Sequence, residues 1–105
     1  MENLSTRAVA QVILMSRELD RAEGELRAFI DRMTEEQQAE LVAVMWIGRG
    51  SFEPEEYDEA VNTALTEATT PCADYLLGTP HLSDNLENGL DALGFSATDE
   101  EDALL

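Results

Sequence analysis

Apolar residues recur along most of the chain at steps of three and four, the spacing that lines one face of an α-helix. The first such face holds Val9, Val12, Ile13 and Leu19, with Arg7, Arg17 and Glu18 at polar positions and Ser5 placed as an N-cap. It predicts a helix over about residues 6–21. Gly24 then interrupts or kinks the pattern, and Leu26, Phe29, Ile30 and Met33 resume it in a short second helix, where Glu23 is placed to pair with Arg27 at i,i+4.

Thr34 and Gln37 form a capping-box pattern, and Glu35 and Glu36 put negative charge at the N-terminal turn that follows. A third helix is therefore predicted over about residues 35–48. Every residue from Leu41 to Ile47 is apolar, so this helix has no solvent face and marks either the centre of the domain or part of an oligomer interface. A run of that length also suits a buried strand. The cap, the polar first turn and the lack of neighbouring strand patterns favour helix.

Pro54 opens a fourth helix through Tyr57, Ala60, Val61, Ala64, Leu65 and Ala68, which Thr69, Thr70 and Pro71 stop. Thr70 is the expected cap of a brief helix with Ala73, Leu76 and Leu77, ended by Gly78. Thr79 as cap and Pro80 at the first position then launch a last helix carrying Leu82, Leu86, Leu90 and Leu93, closed by Gly94, with Gly89 marking a close contact. The expected fold is an all-α, compact bundle of five or six short helices around a central apolar helix. Residues 1–94 form a single domain in this reading, and residues 95–105 a flexible acidic tail.

Charge changes this picture more than composition does. Of the 105 residues 44% are hydrophobic, an ordinary globular share, yet 23 Asp and Glu oppose six basic residues, giving a formal net charge of −17. All six basic residues are Arg and lie within residues 1–50, whereas residues 51–105 hold 14 acids and no basic residue. Such a surface repels phosphate backbones and anionic lipid, so direct nucleic-acid and membrane binding are not expected. Basic protein partners and multivalent cations remain open, although a compositional habit that favours solubility explains the acidity more simply. Cys72 is the single cysteine, no basic leader opens the chain, and no apolar run approaches the ~20 residues that span a bilayer. A cytoplasmic protein is expected.

Three stretches, QQAELVAVMWIGRG, YDEAVNTALTEA and YLLGTPHLSDNLENGLDALG, together resemble a small bacterial family, domain-of-unknown-function family 3775, over about residues 30–94. The resemblance includes Trp46, Gly48, Arg49, Gly50, Tyr75, Gly78, Pro80 and Gly89. It implies a compact helical bacterial domain and carries over no catalytic residue.

Four residues are candidates for a ligand or interface site: Trp46, Arg49, Tyr57 and Tyr75. Arg49 has the planar fork that holds a carboxylate or phosphate, but an Arg in a last helical turn beside Gly48 and Gly50 is also what a helix stop looks like. Trp46 is a candidate to line a pocket with Met45, Tyr57 and Tyr75, against the plainer reading as a core residue. Cys72 near a helix start is a candidate low-pKa thiol, with His81 as its base and Asp74 or Asp84 behind it, although no nucleophile motif surrounds it. One Cys and one His make no zinc site, the clusters EPEEYDE and TDEEDALL are read as solvated surface, and no cofactor is implied. The leading expectation is a non-enzymatic protein-interaction or self-associating module, with a homodimer as the self-associated form. An acidic nucleic-acid-mimicking regulator of a basic DNA- or RNA-binding protein ranks second, and a small thiol or metal-dependent enzyme third.

Overall fold

The computed structural model describes residues 1–95; the acidic tail predicted from residue 95 onward lies, beyond Phe95, outside the described residues. The helices are α1 (Thr6–Ser16), α2 (Leu19–Asp31), α3 (Glu35–Arg49), α4 (Tyr57–Thr66), α5 (Cys72–Leu77) and α6 (Leu82–Ala92), with a 3-10 turn, Pro54–Glu56, leading into α4. The described residues contain no strand, and the protein is an all-α bundle.

α3 is the centre of the bundle. Leu41, Ala43, Val44 and Met45 have no solvent exposure, because α6 packs along one side of the helix and α4 along another. α1 lies against α6 and α2, while α5 bridges α2 and α3. The predicted capping box starts the central helix: the Thr34 side chain accepts from the Gln37 amide at 3.1 Å, and the Gln37 side chain accepts from the Thr34 amide at 2.9 Å. Ion pairs on the surface join elements, Arg17 just after α1 to Glu87 of α6, and Arg27 to both Asp74 of α5 and Glu23 of its own helix.

The two glycines around Arg49 do different things. Gly50, at φ 88°, is the left-handed residue that ends α3; its amide donates to the Ile47 carbonyl at 3.1 Å, and the Ser51 amide reaches the Trp46 carbonyl at 2.9 Å. This is a Schellman closure, repeated at the end of α6 by Gly94 (φ 89°) and Phe95. Gly48 instead faces α6. A Cβ there would stand 1.6 Å from the Asn85 carbonyl oxygen, and one on Gly89 would stand 2.1 Å from the Val44 carbonyl oxygen. The backbones of α3 and α6 therefore touch at reciprocal glycines, the close contact anticipated for Gly89.

Three helix starts differ from the sequence reading. The first predicted helix, residues 6–21, is broken at Arg17 and Glu18 rather than kinked at Gly24. Ser16 donates its hydroxyl back to the Ile13 carbonyl at 2.8 Å, and Glu18 leaves the helical region (φ −126°, ψ 45°), so Leu19 belongs to α2. Gly24 sits exposed inside α2 with open space around it. Thr70 does not cap α5, which follows Pro71 with no side-chain cap. Thr79 does not cap α6 either: its hydroxyl donates to the Tyr75 carbonyl at 2.8 Å, and α6 begins at Leu82 behind a left-handed His81 (φ 57°).

Candidate functional site

Trp46 is held from two directions. Its indole N–H donates to the Tyr75 hydroxyl of α5 at 2.9 Å, and Phe52, delivered by the turn after α3, stacks on the indole with ring centroids 5.6 Å apart and planes at 27°. The fixed Trp46–Tyr75 pair forms part of a groove of about 520 Å³. Ala39 and Val42 of α3 line it beside Trp46; Ala64 and Leu65 of α4 and the connection through Thr69, Thr70 and Pro71 complete the surroundings. Leu65 is the one large hydrophobic side chain strongly exposed among the described residues, at 41%. Glu35 and Glu67 are the carboxylates of the lining, which contains no Arg or Lys, and neither forms an ion pair among the described residues.

Cys72 also lines this groove, but its chemistry is the reverse of the sequence expectation. Burial pushes its thiol up from 9.0 to about 12, helped by the negative charge of Asp31, and the sulfur contacts the Gln38 carbonyl at 3.9 Å. The helix start does not depress the pKa, because the six-residue α5 offers little dipole against this desolvation. No hydrogen bond joins Cys72 to His81, which is exposed at the start of α6, and Asp74 is paired with Arg27. Among the described residues, no three His, Cys, Asp or Glu side chains are grouped to hold a metal ion.

The four candidate residues thus separate. Trp46 and Tyr75 meet in the groove. Arg49 is exposed and donates from Nε to the Ser51 hydroxyl at 3.0 Å, outside the groove lining. Tyr57, at the start of α4, is half-buried with its hydroxyl enclosed and no hydrogen-bond partner among the described residues. Burial foremost, and then the charge of Glu40, raises its pKa above the ordinary tyrosine value.

Glu40 is the polar centre that the sequence reading passed over. It is 4% exposed, yet its carboxylate accepts from three successive backbone amides: Glu2 at 3.1 Å, Asn3 at 3.0 Å and Leu4 at 2.7 Å. Gln37 adds a side-chain bond to the Asn3 carbonyl at 3.1 Å, so α3 clasps the N-terminal arm and seats Leu4 in the core. The signal was present: Glu40 stands four and seven residues before Val44 and Ile47, on one helical face with two core positions.

Groove and bundle together define an all-α domain with an aromatic-walled recess. The chain belongs to a family described as a protein of unknown function, DUF3775, whose profile matches residues 23–95. That segment starts inside α2, so the family match leaves out α1 and the arm held by Glu40, both of which contribute to the core. Comparison with curated proteins and with solved structures finds no match. No helix among the described residues is long and apolar enough to cross a membrane.

Proposed function

We propose that this chain is a non-enzymatic protein-binding module whose contact surface is the groove between α3, α4 and α5. The observation that carries the reading is the exposed Leu65 beside a recess whose aromatic residues, Trp46 and Tyr75, are already fixed by a hydrogen bond. Preformed recesses of this size bury a few apolar side chains of a partner at little cost in ordering the site. The apolar length of α3, a reason to expect self-association from sequence, is covered largely by α4 and α6 within one chain. Cys72, with its thiol held neutral, suits an apolar lining better than a nucleophile.

Trp46 is the single tryptophan and reports directly on the groove. A random twelve-residue peptide library is selected against the intact chain, and the selected peptides are titrated while Trp46 emission is followed. Peptides that shift the emission and bind at least tenfold more weakly to Leu65→Asp support the reading. A set of selected peptides indifferent to Leu65 and silent at Trp46 overturns it.

A further inference from the structure

The groove has a chemical preference as well as a shape, and this inference rests on the groove being the contact surface. Its lining is apolar through Val42, Leu65 and Trp46 and carries carboxylates at Glu35 and Glu67, with no arginine or lysine to neutralise them. The six arginines do not relieve this: Arg17 and Arg27 are engaged with acids of α6 and α5, and none of the six lines the groove. An acidic partner segment would bring like charge against two unpaired carboxylates and against a chain of net charge −17. A neutral apolar segment would fill the recess and leave both carboxylates facing its backbone.

We infer that the groove takes a segment of a partner protein in which one or two apolar side chains are flanked by arginine or lysine. The apolar side chains cover Leu65, Ala64 and Val42, and the flanking cations meet Glu35 and Glu67. Arginine is preferred to lysine, because its planar fork pairs with a carboxylate in two places. Opposite charge also steers the encounter, so association is faster at low salt.

The same peptide selection, carried out on the intact chain at 50 mM and 500 mM salt as chosen assay conditions, tests the preference separately from the groove itself. The expected result is enrichment of apolar residues flanked by Arg or Lys. Binding weakens about three- to tenfold in Glu35→Gln/Glu67→Gln, and by a similar factor on raising the salt, the range for two exposed ion pairs. Selected peptides that bind in a Leu65-dependent way but lack basic residues, or basic ones that ignore the double substitution, overturn the charge preference and leave the groove standing. If no selected peptide depends on Leu65, both readings fail.

Discussion

Replacing Gly48 by alanine adds one methyl group, and the structure leaves no room for it. The new Cβ would stand 1.6 Å from the Asn85 carbonyl oxygen and 2.7 Å from the Gly89 amide nitrogen, against an ordinary contact distance of at least 3.4 Å. The obstruction is backbone on both counts, so no side-chain rotation relieves it. α6 must retreat by about 1.8 Å along that direction, the difference between the two oxygen distances. Retreat loosens the packing of α6, whose Leu86 and Leu90 are fully buried, against α3. Overpacking a core commonly costs about 1–3 kcal/mol, and partial unpacking of two leucines worth roughly 1.5–3 kcal/mol each adds to it. A loss of at least about 3 kcal/mol is expected, against a total stability of roughly 5–15 kcal/mol for a domain of this kind. In a thermal melt that corresponds to a fall in Tm of order 10–20 °C.

The control is the same substitution at Gly24, which lies exposed inside α2 with nothing within 4 Å of an added Cβ. There alanine removes only the backbone freedom of glycine, and a gain of about 0.5–1 kcal/mol follows. Urea unfolding of both variants supplies the comparison, since the chemical change is identical and only the surroundings differ. A Gly48→Ala variant within about 1 kcal/mol of the parent would refute the backbone contact between α3 and α6.

Glu40→Gln puts an amide N–H₂ where backbone donors converge, so a loss of about 2–4 kcal/mol is expected, with faster hydrogen exchange at the Leu4 amide; an unchanged Leu4 exchange rate would dispose of the clasp. Thr34→Ala removes one half of the capping box on the central helix and is expected to cost about 1 kcal/mol in urea unfolding, a cost that vanishes if the box is idle. Cys72, raised to about 12 from 9.0, carries about a thousandfold less thiolate at pH 8 than an ordinary thiol, so iodoacetamide should modify the folded chain far more slowly than the unfolded one. Because the folded pKa is the higher one, this group's contribution to stability is complete below pH 9 and is lost between about pH 9 and 12. Equal alkylation rates at pH 8 would contradict the burial of the sulfur.

What the sequence shows and what it hides divide along the range of the forces involved. The capping box of α3, the left-handed Gly50 and Gly94 and the run Leu41–Ile47, buried but for Trp46, are legible because each depends on neighbours within a turn or two. The start of α6 differs from the expected one because the Thr79 hydroxyl donates backward to the Tyr75 carbonyl, whereas a cap needs it to accept from an amide ahead; the break before Leu19 follows Ser16, whose hydroxyl likewise bonds back to Ile13. Gly48 shows a similar limit, since one glycine at a helix end has the same local signature whether it turns the chain or admits a neighbour, and only the position of α6 decides.

The site was half visible for a related reason. Trp46 and Tyr75 stand 29 residues apart, and their residue types alone made them candidates; the connection between α4 and α5, whose Thr69, Thr70 and Pro71 read only as a helix stop, brings the recess together. Glu40 is the clearest case of a side chain whose partner no local pattern reveals. A carboxylate on the buried face of a helix is costly unless donors meet it, and those donors are backbone amides 36 to 38 residues away that any sequence could supply. A lone acid in register with core positions therefore signals an unidentified backbone partner, and the search for that partner belongs among segments with amides to spare, such as a chain end lacking helical bonds.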